Sequence, residues 1–459
     1  MTEKLDAFCR DIGDIPCERD ERVLRLRSRD QFAISPLLRR ALTGKSADVM
    51  VSPRTKEEIV RVVASAARRR IPVTARGGGT ANYGQSVPLE GGILLDMTRY
   101  SGLVSLENGI ARLASGTLVS DADEALRARG FELRIHPSTT FDATIGGFVA
   151  GGSGGIGSAQ WGMLRDRGNI VALEVLSCEE EPRLTVLGGD DVALVHHAYG
   201  TNAIITEIGM PVAPAWVWRE CLVAFADYAS AMRFGVALLR ETGIVKKLCS
   251  VQEWPVPRLM RALKGVVPEG HSMVNCMIAP QSRGAFLDLV REHGGAVSAD
   301  HASGENPFGA PLFEFAYGHG LRQLQKEDLK YTGLQGLFPA DGLLERVAAV
   351  HAAVDGSAPM RLEVFYSQGD VVAMGSPLIV YDNDAQMAAM VELMQGFGVL
   401  VANSHTTGVR QVGIKQITER DAAFKQAMDP YNLLNPGKLD FGDVERNLPT
   451  TGWIFRKAS

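Results

Sequence analysis

Residues 76–88 read RGGGTANYGQSVP and residues 144–157 read TIGGFVAGGSGGIG, and how these two tracts are read decides the fold. Glycine permits turns and close backbone approaches that other residues resist. In the second tract Gly152, Gly154 and Gly157 satisfy GxGxxG, the spacing of a Rossmann dinucleotide site. That motif needs a clean strand ahead of its glycines, whereas the stretch before Gly152 already holds Gly146, Gly147 and Gly151. The two tracts make better sense together. Each delivers backbone N–H groups, and two such loops wrap a pyrophosphate from two sides without a helix dipole. Taken singly, either tract is also compatible with plain tight turns in a β-rich domain.

Working outward, Thr55 and Glu58 have capping-box spacing, and Ile59, Val62, Val63, Ala66 and Ala67 then share one helical face. Residues 71–75 read as a buried strand that runs straight into the first glycine tract. Strands are expected at 93–97, 110–114 and 170–176, and a short helix at 120–130, capped by Ser120 and closed by Gly130. From Trp216 to Asn403 strand and helix alternate without glycine clusters: strands at 221–226, 273–278 and 361–366, helices ending at Glu241 and near 286–292 and 385–394. That pattern suits an antiparallel sheet with helices packed on one face. A helix and the turn DPYNLLNPGK (429–438) follow.

With 459 residues and 46% hydrophobic content the chain supports at least two cores. The formal charge of −5, with both signs scattered, gives no field for nucleic acid or an anionic membrane. No run approaches the ~18 apolar residues of a membrane span, and the N-terminus lacks the apolar core of a signal peptide. Six cysteines lie far apart without a CxxC pair, so reduced thiols and a cytoplasmic location are expected.

In order along the chain, RGGGTANYGQSVP, TIGGFVAGGSGG (144–155), Trp161-Gly162, GTNAIIT (200–206) and DPYNLLNPGK resemble the FAD-contacting segments of the vanillyl-alcohol oxidase or PCMH-type FAD domain. The last of them resembles the glycolate oxidase and D-2-hydroxyacid dehydrogenase branch. The resemblance covers roughly half of the chain. It implies an α+β protein: an N-terminal arm (1–47), a two-lobed FAD-binding domain (48–215), a substrate or cap domain with an antiparallel sheet (216–403), and a segment returning to the FAD-binding domain (404–459). It assigns Arg76, Gly77, Gly78, Gly79, Thr80, Gly84, Gln85, Ser86, Pro137, Ser138, Thr144, Ile145, Gly146 and Gly147 to the pyrophosphate wall. Gly151, Gly154 and Gly155 go to the ribityl and flavin, Ile204 and Ile205 to the adenine end, and Asn435 and Lys438 to the neighbourhood of the isoalloxazine ring. Where some relatives tether the flavin through a histidine this chain has Thr80, so the FAD is expected to be non-covalent.

Oxidation of a small alcohol or 2-hydroxyacid by hydride transfer to flavin N5 needs a base for the hydroxyl proton and a cation for an anionic substrate. His405, after the apolar stretch 399–402, falls where similar hydroxyacid dehydrogenases carry an active-site histidine. Tyr317 and His319, with Glu314 in PLFEFAYGHG (311–320), form an alternative polar group expected at the end of an apolar strand, lining the substrate face or lying in a surface loop. Arg361 and Glu363 alternate with Leu362 and Val364, so both charges face one way: a carboxylate clamp, or a solvent-side pair. Arg410 and Lys415 are open to the same two readings. Similar dehydrogenases place a Glu before the histidine and two histidines upstream to bind a metal. Here Ser404 replaces the Glu and residues 361–381 contain no histidine, so no catalytic metal is expected. The electron acceptor, a homodimer or a partner subunit all stay open. A non-catalytic FAD-binding relay subunit is the rival reading, and an NAD enzyme using Gly152–Gly157 is a second.

Overall fold

The computed structural model describes residues 2–439; residues 440–459 of the expected C-terminal segment lie outside the described residues. The chain divides into two compact units. One comprises residues 1–153, 167–214 and 404–459, the other 154–166 and 215–403.

The first unit is built around the amphipathic helix Lys56–Arg69. Thr55 Oγ1 accepts from Glu58 N at 3.2 Å, and the Glu58 carboxylate takes the amide of Arg54 rather than that of Thr55. Its buried face, Ile59, Val62, Val63, Ala66 and Ala67, packs on Val49, Val51, Val73, Ile93 and Leu95. Burying each large aliphatic side chain contributes about 1.5–3 kcal/mol. Those strands form a four-stranded sheet ordered Cys17–Glu18, Val49–Val51, Ile93–Asp96, Val73–Arg76, with the last three parallel. A second, antiparallel sheet has Ile204–Pro214 at its centre, flanked by Ile110–Ala114 and Ala172–Leu176 and further joined by Phe131–Leu133. Helix and strand are thus mixed in an α+β arrangement.

Two local expectations need correction. The short helix runs Val119–Arg127 with Leu118 at its N-cap, so Ser120 sits inside it; the Leu118–Thr144 bridge, not a side-chain cap, fixes that end. The second glycine tract is not all loop. Thr144 Oγ1 accepts from Gly147 N at 3.1 Å and starts a helix over Ile145–Gly151, because small residues let it pack tightly.

The second unit carries an eight-stranded antiparallel sheet ordered Ala296–Ala302, Arg219–Phe225, Ser272–Ile278, Lys246–Gln252, Met360–Ser367, Asp370–Pro377, Gln335–Phe338, Leu400–Ala402. Alternation divides its faces. Cys221, Val223, Cys249, Val251, Val274, Cys276, Leu362 and Val364 share a core with residues of the helices Tyr228–Arg240, Arg283–Glu292, Leu343–Val354 and Asp384–Gly396. The opposite face is covered too, contrary to the one-sided expectation: Leu222, Ala224 and Met273 pack against Val256, Leu312, Phe315 and Leu324. PLFEFAYGHG is accordingly no strand end. Leu312–Phe315 is a single helical turn and Tyr317–Gln325 a helix, laid across that face.

Candidate functional site

In the first unit the strand Val73–Arg76 ends at the first glycine loop, and this loop lies directly on the second. A Cβ on Gly77 would stand 2.0 Å from Thr144 Oγ1, and one on Gly78 1.7 Å from Asp142 O. Gly79 has φ of +71°. Gly146 lies against Ser115, where a Cβ would come within 2.6 Å, and its amide donates to Ser115 O at 2.8 Å. Two backbones therefore touch where any side chain would part them. The Arg76 guanidinium donates to Gly77 O and Gly78 O at 2.8 and 3.2 Å, holding its own loop. Burial, with Arg27 adding to it, pushes Arg76 down to about 10 against the pull of Asp96 and Asp30. Thr139 Oγ1 reaches the hydroxyl of Thr80 at 3.5 Å, and Pro137 O accepts from Thr140 at 2.9 Å beside the buried Ser138.

Gln85 Nε2 donates to Gly151 O at 3.0 Å, joining the first tract to the helix over Ile145–Gly151. Gly84, with φ of +70°, has no room for a Cβ under Leu42. The C-terminal turn holds this region from behind. Lys438 Nζ donates to Gly84 O, Gln85 O and Val87 O at 2.6, 2.8 and 2.7 Å. Asn435 Nδ2 donates to Gln85 O and Tyr199 O at 2.8 and 2.7 Å, while its amide meets Val73 O. Both residues thus brace the loop through carbonyls. Burial pushes Lys438 down to about 7 and the neighbouring Asp30 up to about 6, each restrained by the other's charge.

Ile204 is buried in the helix-and-sheet core and Ile205 follows it along the strand Ile204–Pro214. Gly154 and Gly155 belong to the second unit. There Gly155 N donates to Ser158 Oγ at 3.0 Å and Gly155 O accepts from the Tyr317 hydroxyl at 2.9 Å. Two features fit a pyrophosphate: glycine loops packed so closely that only backbone lines them, and the buried Ser115 and Ser86 hydroxyls with no hydrogen-bond partner among the described residues.

The four candidate catalytic residues are divided between the two units. His405 is in the first unit, its Nδ1 2.7 Å from Ser35 Oγ, which also caps the helix Pro36–Leu42. His319 pairs through Nδ1 with Glu314. Tyr317 and Arg361 do meet: Arg361 Nη2 donates to Tyr317 O at 3.3 Å, and Glu363 Oε1 accepts from Tyr317 N at 2.7 Å and from Ser250 Oγ at 3.0 Å. Burial pushes Glu363 up to about 7, opposed by the Tyr317 amide, Arg361 and Ser250. The Arg361–Glu363 pair is therefore no solvent-side pair. Lys415 is committed to Asp421 at 2.9 Å. Sequence reasoning passed over Ser250 and Gln252, which share this face; the signal was polar residues alternating with Cys249 and Val251 along the strand. It also passed over Asp30 and Ser35 in the arm. Among the described residues no group of three or more His, Cys, Asp or Glu side chains is placed to hold a metal ion, and no helix is long and apolar enough to cross a membrane.

Residues 47–182 match the family model described as an FAD binding domain, a span that contains both glycine tracts. The chain thus carries an FAD-binding domain of the PCMH type. This flavoprotein is 28% identical over 438 residues to the glycolate oxidase subunit GlcD of Bacillus subtilis, covering 87% of this chain and 90% of that one. The Escherichia coli K12 glycolate oxidase subunit GlcD is 25% identical over 444 residues, 88% of this chain and 84% of the relative. A D-lactate dehydrogenase of Archaeoglobus fulgidus is 30% identical over 176 residues, 36% of this chain and 39% of the relative. A solved alkyldihydroxyacetonephosphate synthase shares the fold at a TM-score of 0.71 and 15% identity, covering 94% of the flavoprotein and 86% of the synthase.

Proposed function

We propose that the flavoprotein oxidises a small alcohol or 2-hydroxyacid, with non-covalent FAD supplying N5 as the hydride acceptor and no catalytic metal. The observation that carries this reading is the near full-length similarity to glycolate oxidase subunits, joined to glycine loops that pack with no side chain between them. In this reading residues 48–215 with 404–459 hold the cofactor, and 216–403 select the substrate. The backbone of Gly77–Gly79, with the hydroxyls of Ser86 and Ser115, takes the phosphates, and Lys438 and Asn435 keep the loop rigid from behind. His405, whose Nδ1 lies 2.7 Å from Ser35 Oγ, takes the proton of the substrate hydroxyl. Non-covalent attachment follows from Thr80, and the absence of a metal from Ser404 and the histidine-free stretch 361–381.

The missing metal ligands also favour a second reading, a non-catalytic subunit that relays electrons within a larger complex. One experiment separates the two. The purified protein is precipitated with acid, and release of yellow FAD to the supernatant is expected. The intact protein is then titrated anaerobically with glycolate, D-lactate and small neutral alcohols. Bleaching of the flavin by one of them supports the oxidase or dehydrogenase reading; a flavin that dithionite reduces but none of these bleaches favours the relay. A protein that is colourless and cannot be reconstituted with FAD overturns both.

A further inference from the structure

Three unsatisfied polar atoms meet on one face of the second unit's sheet. In the register of the strands Lys246–Gln252 and Met360–Ser367, Gln252 stands opposite Arg361 and Ser250 opposite Glu363. Gln252 is 1% exposed and Glu363 7%. Gln252 Oε1, Arg361 Nε and Glu363 Oε2 are all buried, and none has a hydrogen-bond partner among the described residues. Their other atoms are used. Gln252 Nε2 donates to Phe315 O at 2.6 Å, Arg361 Nη2 to Tyr317 O, and Glu363 Oε1 accepts from Tyr317 N and Ser250. Each side chain is thus held by one end with the other end free.

Buried polar atoms rarely go unpaired, since an unmet donor or acceptor carries its full desolvation penalty. A packing role alone would pair Arg361 directly with Glu363, two residues along the same face; instead the two charges are bridged by the backbone of Tyr317. Tyr317 itself has φ of +50°, a left-handed conformation unfavourable for an aromatic residue, and its hydroxyl is tied to Gly155 O at 2.9 Å. Gly320 completes the arrangement: a Cβ there would stand 2.5 Å from Arg361 Nη2, so its lack of a side chain makes room for the guanidinium.

We propose that Arg361, Glu363 and Gln252 recognise a 2-hydroxycarboxylate, the Arg361 guanidinium taking the carboxylate and the free oxygens of Glu363 and Gln252 taking the hydroxyl. This rests on the reading of the flavoprotein as a hydroxyacid oxidoreductase and adds which residues read the substrate. The chemistry matches atom by atom: an N–H donor for the anionic end, and two acceptors for an O–H donor. So does the scale. Positions i and i+2 on a strand lie about 7 Å apart and neighbouring strands about 5 Å, a patch suited to a small hydroxyacid rather than a polymer. The arrangement selects a carboxylate over a neutral alcohol, because Arg361 gains a charge-assisted bond only from the former.

The test uses the holoprotein and Arg361→Gln, Arg361→Lys and Glu363→Gln, each checked for flavin content and melting temperature. Anaerobic flavin reduction is followed with D-lactate and with propane-1,2-diol, its neutral counterpart. Separately, oxalate, which cannot give up a hydride, is titrated against the flavin absorption. Arg361→Gln is expected to raise KM for D-lactate and weaken oxalate by about 10- to 100-fold, the worth of a charged hydrogen bond, and to change KM for the diol by less. Arg361→Lys, which keeps the charge and loses the fork, is expected to fall between. Glu363→Gln is expected to remove a limb near neutral pH from the D-lactate profile. D-lactate bleaching with an unchanged KM in both Arg361 variants overturns the site and leaves the oxidation reading standing. Oxalate binding that depends on Arg361, with no hydroxyacid bleaching the wild type, overturns the oxidation reading and leaves the anion site. A wild type that neither binds oxalate nor is bleached overturns the site as well.

Discussion

The glycine loops of the first unit and the polar face of the second solve opposite problems. Around the loops the strongest polar groups are spent: all three protons of Lys438 go to carbonyls, and both amide protons of Asn435 do the same. What is left to meet a ligand is backbone and the small hydroxyls of Ser86 and Ser115. On the second unit's sheet the reverse holds, for side chains anchored at one end present Nε, Oε1 and Oε2 with no partner among the described residues. A cofactor used in every turnover can be held by a fixed backbone cradle. A substrate that must be told from its analogues requires specific side-chain atoms, and leaving these unmet carries a cost in stability.

The hardest break of the contrast is at Gly78. Gly78→Ala places a methyl carbon against Asp142 O, and the two loops have to separate. Near-complete loss of bound flavin is expected, read from the visible spectrum of the purified protein. Lys438→Met comes next: it removes three hydrogen bonds to buried carbonyls and leaves Val87 O without a donor, while Gln85 O keeps Asn435 Nδ2 and Gly84 O the Val87 amide; a loss of about 2–4 kcal/mol is expected by denaturant titration, with flavin occupancy falling alongside. A smaller effect tests the other region. The buried Glu363 carboxyl sits at about 7 against about 4.5 for the free side chain, so the folded protein favours the protonated form. That contribution is fully present below pH ~4.5 and is lost as the pH rises through about 7. Glu363→Gln stays neutral, and its stability relative to wild type is expected to improve by about 2–3 kcal/mol between pH 5 and 8 in paired unfolding curves.

The same contrast explains what the sequence betrays. Gly77–Gly79 and Gly146–Gly147 announce themselves because a backbone site leaves its record in residue type: only glycine fits. The helix over Lys56–Arg69 is legible for a related reason, its apolar period being a local property. The recognition face is not local. Ser250, Gln252, Arg361 and Glu363 come from two strands over a hundred residues apart, and nothing near Gln252 says that Arg361 lies across from it. The helix Tyr317–Gln325 was misread as following a strand because Pro311–Phe315 is apolar for tertiary reasons: it covers Leu222 and Met273. Lys438 and Asn435 were legible as important, but not as braces, since that role depends on carbonyls some 350 residues away.

Ser35 gives the smallest effect and the sharpest question. Its hydroxyl caps the helix Pro36–Leu42, accepting from Leu38 N at 3.2 Å, and also lies 2.7 Å from His405 Nδ1. Ser35→Ala removes one cap, so about 1 kcal/mol of stability is expected to go. If His405 takes the substrate proton, the Ser35 hydroxyl beside Nδ1 helps to set the ring's position and tautomer, and its removal is expected to disturb both. Then kcat is expected to fall several-fold with KM unchanged, and Ser35→Thr, which keeps the hydroxyl, is expected to restore it. If the base lies instead with Glu363, kcat of Ser35→Ala stays at the wild-type value and only the melting temperature moves. The first unit would then be purely a cofactor cradle, with proton and substrate both handled by side chains of the second.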